Sequence, residues 1–328
     1  MKNIKIKEVA VYHPENEVDN NFYIEHFKKQ GKDIENFLTH MGRKKRYIIN
    51  NDKENGLTMA INASHHALDK AGMNGEDIDM IVFSTQVPET TFPSNAVYVH
   101  EAINGSSDAL ILDSNANCAG MTVAVEQASH YMRSNEHMKA ALIIGSDFNS
   151  LISNPNEEIT YANYGDGAAA IILEKTSEDT GFIDSISYTD SLNRDKIKYP
   201  ENGLSESLRG TGNSNHIKWL PFDGAVCMPP TYTMIEKLLD RQQLTANDVK
   251  MYCLSQFAWS NIEKFQAHFK LADSQISYVG DQFGYTGTSS PFFALNDAIK
   301  KRHLQRGDYV LFWTVGAGFQ VVAVLFKY

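Results

Sequence analysis

Cysteine is scarce in this 328-residue chain: Cys118, Cys227 and Cys253 are odd in number, far apart, and form no C-x-x-C pair. That usage excludes a disulfide framework and a zinc or dithiol redox motif, and it fits a reducing compartment. Long apolar runs are also missing. None reaches the roughly 20 residues that span a bilayer, and no export signal precedes the first strand-like segment. Basic blocks are few: 30 Lys and Arg against 40 Asp and Glu leave a net charge of −10, which argues against a nucleic-acid or membrane surface. No pair among the 11 histidines has metal-ligand spacing. The expectation is a cytoplasmic protein without a metal.

What is present is enough apolar sequence, 42% of the chain, for one large domain or two joined halves. Short apolar runs bounded by polar turns read as buried strands: Ile4 to Tyr12, Met80 to Ser84, Ala109 to Leu112, Ala140 to Asp147, Ala169 to Leu173, Met251 to Ser255 and Val321 to Phe326. Helical patterns alternate with them. A polar helical segment covers 20–40, with Phe22, Ile24, Phe27 and Ile34 on one face, and stronger ones cover 57–71 and 231–243. That alternation predicts an α/β architecture with covered sheets. Residues 177–222, rich in Ser, Asn, Asp and Gly, read as a linker or surface excursion.

An internal echo divides the chain. Leu68-Asp69-Lys70 and Asp77-Ile78-Asp79-Met80 match Leu239-Asp240-Arg241 and Asp248-Val249-Lys250-Met251 at one constant offset. Gly165-Asp166-Gly167 and its strand similarly pair with Gly316-Ala317-Gly318 and its strand. Two related halves are expected, 1–175 and 223–328, joined through 176–222, with active groups where they meet.

The chemistry centres on Asp113-Ser114-Asn115-Ala116-Asn117-Cys118-Ala119-Gly120-Met121, where a strand gives way to a helix. A cysteine opening a helix faces unpaired N–H groups and the helix dipole, which stabilise a thiolate and favour acyl transfer. The other reading of Cys118 is a small buried residue. The run Arg43-Lys44-Lys45-Arg46 reads either as a site for a phosphate-bearing ligand or as a solvated turn.

The ordered set Thr91-Phe92-Pro93-Ser94, Asp113 to Gly120, Gly145-Ser146-Asp147, Tyr164-Gly165-Asp166-Gly167-Ala168 and Gly316-Ala317-Gly318-Phe319 resembles the 3-oxoacyl-[acyl-carrier-protein] synthase III family of the thiolase-like superfamily, over nearly the whole chain. The resemblance implies a duplicated thiolase-like fold, layered αβαβα with two mixed sheets, usually in a homodimer. It implies no permanently bound cofactor, a coenzyme A or phosphopantetheine thioester as substrate, and acyl-CoA or acyl-carrier protein as partners. Cys118 takes the nucleophile position, with the backbone of Cys118 and Gly318 as oxyanion donors. Lys44 and Arg46 keep basic character for a thioester phosphate, while the family's adenine-holding aromatic falls near Asn36, beside Phe37. The basic residue that docks a carrier protein falls near Ser260, with Lys264 close by.

Two departures stand out against that family. Its histidine position falls on Ser255, before Gln256, and its asparagine position falls on Tyr285 within Gly284-Tyr285-Thr286. Both normally donate hydrogen bonds to the malonyl thioester oxygen, and losing one oxyanion donor costs about 2.7 to 4 kcal/mol. The expectation is therefore an acyltransferase of fatty-acid, polyketide or secondary-metabolite biosynthesis, loading Cys118 and passing the acyl group to an acceptor beside Ser255, Gln256 and Tyr285. The alternatives are a non-catalytic or regulatory subunit of a heteromeric acyltransferase, and a true decarboxylating synthase.

Overall fold

Every strand expected from the short apolar runs forms in the computed structural model, which describes residues 3–210 and 215–328. Met1 and Lys2, at the head of the first expected half, and residues 211–214 of the excursion lie outside the described residues. The first sheet has the order Asn3–Tyr12, Gly167–Thr176, Ala140–Asp147, Met80–Ser84, Leu110–Ser114. Its last three strands are parallel, and Gly167–Thr176 runs antiparallel to both neighbours. The second sheet has the order Val249–Leu254, Tyr309–Gly316, Gln320–Lys327, Gly181–Thr189, parallel in its first pair and antiparallel in the rest. Both echoes in the sequence fall on this repetition. Met80 and Met251 lie on strands of equivalent place, as do the strands after Gly167 and Gly318.

Burial explains why these segments read as unbroken apolar runs. All eight residues of Ala140–Asp147 are buried, because helices cover both faces of the sheet. The helices Gly120–Ser134 and Ser290–Lys300 pack between the two sheets, where Ala124, Ala128, Phe292 and Leu295 meet Val82, Ile143, Ile171, Phe312 and Val324. Gly56–Ala71 and Asn95–Ala102 cover the outer face of the first sheet. Met228–Arg241 and Trp259–Phe269 cover that of the second. The result is five layers, αβαβα. Gly56–Ala71 carries its own boundary signals: Asn55 accepts from the Thr58 N–H while Thr58 accepts from the Asn55 N–H, and the helix ends on Gly72 at φ +64°.

Two expectations need correction. The excursion does not span 176–222, because Gly181–Thr189 is a strand of the second sheet, paired to Gln320–Lys327. It is an edge strand, half-exposed through Asp184, Ser185 and Ser187, so its composition imitates a loop. The chain leaves the sheet only after Thr189 and folds back through a two-residue pairing of Ile197–Lys198 with Lys218–Trp219. The segment 20–40 is two helices, Asn20–Lys28 and Glu35–Met41. Their buried face is Tyr23, Phe27, Ile34 and Leu38, and Phe22 stays 48% exposed. Among the described residues no helix is long and apolar enough to cross a membrane, and no group of His, Cys, Asp and Glu is arranged to hold a metal.

Candidate functional site

Strand Leu110–Ser114 delivers the chain to a sharp turn in which Asn117 adopts φ +52°. Asparagine tolerates this left-handed conformation, and its side-chain N–H donates to the Ala317 carbonyl at 3.1 Å, tying the turn to the second half. The helix begins at Gly120 with Ala119 as cap, so Cys118 sits just ahead of it rather than opening it. Gly120 is required there: a Cβ would lie 2.3 Å from the Ser84 hydroxyl oxygen.

The Cys118 sulfur touches the wall of a cavity of about 520 Å³ that Ser255, Tyr285, Tyr164 and Gly318 also line. The backbone N–H groups of Ala317 and Cys118 and the Tyr285 hydroxyl favour the thiolate, yet burial outweighs them and pushes the thiol up to about 11. This corrects the expectation of a lowered value. The sulfur reaches the cavity but is enclosed by protein on its other sides, and desolvation of a thiolate costs more than three donors return.

Tyr285 comes to the sulfur, and Ser255 to Tyr285, from separate loops. Ser255 follows the strand Val249–Leu254 and is held by its N–H to the Trp313 carbonyl at 2.8 Å. Tyr285 is clamped at its backbone, donating to the Asn163 carbonyl and accepting from the Gly165 N–H, both at 3.0 Å. Its ring packs edge-on against Phe257 at 5.1 Å and against Tyr164 at 5.7 Å. The phenol faces both Cys118 and Ser255, and burial raises it well above the usual tyrosine range.

Another polar group at the sulfur stands outside the sequence motifs. Gln86 presents its amide oxygen 3.9 Å from Cys118 Sγ. Behind it, the buried Asp147 carboxylate accepts from the Gln86 backbone N–H at 3.0 Å, its side-chain NH₂ at 3.2 Å, the Thr85 hydroxyl at 3.1 Å and the Thr288 N–H at 2.9 Å. Burial nevertheless raises Asp147 to about 6. The available signal was position: Thr85-Gln86 stands at the carboxyl end of a buried parallel strand, where ligands of α/β sheets bind.

Other expected site residues lie elsewhere. Gln256 does not line the cavity: its NH₂ donates to the Leu254 carbonyl at 2.7 Å, and its oxygen accepts from the Val279 and Gly280 N–H groups at 2.9 and 3.0 Å. Arg46 is fully buried, stacked 4.1 Å over the Tyr23 ring and bonded to Asn20 and the Ala162 carbonyl. It cannot meet a phosphate. Lys44 is exposed and pairs with Asp281 at 3.0 Å, away from the cavity lining. The reason is alternation: the run enters the short strand Lys45–Tyr47, so Arg46 points inward while Lys45 points out. Arg43 is also buried, donating to Asn163, Tyr278 and the Gly280, Gln256 and Phe257 carbonyls, which braces the loop after Ser255. Among the described residues Lys264, one helical turn beyond Ser260, lines the cavity, as do Ser260 and Phe37.

The excursion roofs this cavity. Trp219 stacks on Phe257 at 5.4 Å and 4°, and Phe222 stacks on Trp219 at 6.0 Å. An aromatic wall therefore runs from the roof to Tyr285.

Residues 112–191 match the family model described as 3-oxoacyl-[acyl-carrier-protein (ACP)] synthase III, and residues 239–328 match the model of its C-terminal part. The beta-ketoacyl-[acyl-carrier-protein] synthase III of Chelativorans sp. (strain BNC1) is 31% identical over 292 residues, 88% of each chain. That of Solibacter usitatus is 29% identical over 277 residues, 82% of this chain and 83% of the relative. Among solved structures, 3-oxoacyl-[acyl-carrier-protein] synthase III from Aquifex aeolicus superposes with a TM-score of 0.86, covering 99% of this chain and 100% of that one at 23% identity. OleA from Xanthomonas campestris, solved with bound lauric acid and lauroyl-CoA, gives a TM-score of 0.84 over 99% of each chain at 13% identity. The fold is thiolase-like.

Proposed function

The chain belongs to the 3-oxoacyl-[acyl-carrier-protein] synthase III family, and from that membership we propose that Cys118 accepts an acyl group from a coenzyme A or carrier-protein thioester and hands it to an acceptor other than a malonyl unit. The observation that carries the reading is the pairing of the Cys118 sulfur with the Tyr285 phenol and Ser255 in one cavity. A nucleophile is kept, while the two positions that stabilise a malonyl enolate hold a phenol and a hydroxyl instead of an amide and an imidazole. In the loading step the sulfur attacks the thioester carbonyl, a new carbon–sulfur bond forms, the donor's bond breaks, and the thiol proton leaves with the donor sulfur. The acceptor then takes the acyl group and returns a proton to Cys118.

The backbone amides of Cys118 and Gly318 serve as oxyanion donors in this reading, supported by Gly318 lining the cavity at φ +79°. Lys264, in the cavity lining, binds the thioester phosphate in place of Lys44 and Arg46. A homodimer, with acyl-CoA or acyl-carrier protein as partner, belongs to the same reading. Ser255 and Tyr285 at the family's two donor positions favour a second one, in which the chain is a non-catalytic subunit beside a related catalytic chain.

Intact-protein mass spectrometry after exposure to a panel of acyl-CoA and acyl-carrier thioesters separates the two. A mass gain of one acyl group, absent in Cys118→Ala, is the expected result. No adduct from any donor overturns the acyltransferase reading in favour of the subunit.

A further inference from the structure

We infer that the amide oxygen of Gln86 receives the Cys118 S–H and fixes its direction, which makes Gln86 a positioning residue; the inference rests on the reading that Cys118 is the nucleophile. The orientation of the amide is decided by its surroundings. Its NH₂ has two acceptors, a carboxylate oxygen of Asp147 at 3.2 Å and the Asn149 side-chain oxygen at 3.3 Å. Turning the amide over would point its oxygen at both of them, and two oxygens facing an oxygen are repelled. The oxygen of Gln86 is consequently left toward Cys118 Sγ, at 3.9 Å. An amide oxygen can only accept, so the thiol must donate.

The rest of the network holds this arrangement rigid. Asp147 also takes the Gln86 backbone N–H at 3.0 Å, so the residue is gripped at main chain and side chain by one carboxylate. Asn149 is fixed in turn by donating to the Gly165 and Tyr285 carbonyls, each at 3.3 Å. With its hydrogen turned to Gln86, the sulfur presents lone pairs to the other groups around it, and the Tyr285 hydroxyl and the Ala317 N–H donate there. Gln86 and Tyr285 thus act in opposite senses: one holds the thiol, the other favours the thiolate. The titratable groups that face the sulfur are the Tyr285 and Tyr164 phenols and the Asp147 carboxyl.

The deciding measurement is the infrared S–H stretching band of Cys118, assigned by difference against Cys118→Ser. In Gln86→Met the band moves to higher wavenumber, as for a thiol without an acceptor, and the pH midpoint of Cys118 alkylation falls by about one unit, equivalent to one net hydrogen bond. A residue that merely packs would leave both unmoved, and an unshifted band overturns the inference. If Gln86→Met fails to fold, Gln86→Asn withdraws the oxygen by one methylene and decides by the same band. No acyl donor enters either readout, so its failure is distinct from failure of Cys118 to be acylated.

Discussion

Tyr285 offers its hydroxyl to the sulfur of Cys118 from a position between two other aromatic rings. In the proposed reading the phenol opposes the burial that holds the thiol neutral. In Tyr285→Phe the ring packing is kept and only that donor is lost. The alkylation midpoint of Cys118 should rise by about one pH unit, so that the rate at fixed pH near neutrality falls about tenfold. Equal midpoints in the two proteins would reduce Tyr285 to a space-filling residue.

Placing an imidazole and an amide at positions 255 and 285 is the direct test of the proposal that the acceptor is not a malonyl unit. The double variant Ser255→His, Tyr285→Asn vacates ring volume beside residue 255 and supplies an imidazole and an amide. Each oxyanion donor is worth about 2.7 to 4 kcal/mol, so release of carbon dioxide from a malonyl thioester should rise at least a hundredfold over wild type. The exchange also removes a buried ring and should lower stability by about 2 to 4 kcal/mol. Wild-type protein that already releases carbon dioxide at the rate of the double variant would return the chain to ordinary ketoacyl synthesis.

Asp147 makes a prediction about pH and stability. Burial lifts its folded value from the ordinary carboxyl value of 3.8 to about 6, so the folded state binds the proton more tightly. The stabilisation is complete below about pH 4 and is lost as pH rises through 6. Melting temperature measured from pH 4 to pH 7 should therefore decline less steeply in Asp147→Asn than in wild type, whatever the absolute loss from replacing one acceptor oxygen. Parallel curves would mean that Asp147 is ionised throughout.

How far the sequence reveals the fold follows from burial. Ala140 to Asp147 and Met80 to Ser84 are covered on both faces, so their unbroken apolar character is unambiguous. Gly181–Thr189 lies at a sheet edge and borrows its polarity from solvent, so only tertiary pairing reveals it. The site divides the same way. Cys118, Ser255 and Tyr285 follow ordered motifs and meet in the cavity. Gln86 and Asp147 act through a contact across 61 residues, which no local pattern announces. Arg46 was misread because a three-residue strand has an inside and an outside, whereas a run of four basic residues gives no hint of which is which.

A thiol held near 11 in the wall of the cavity is also a poor target for chemistry other than its own. Peroxide and soft electrophiles react with thiolates, and at neutral pH fewer than about one in a thousand of these sulfurs is ionised. With its thiol raised this far, the idle protein should form sulfenic acid slowly and resist indiscriminate alkylation, and a covalent inhibitor would have to bring its own hydrogen-bond donors to gain a hold.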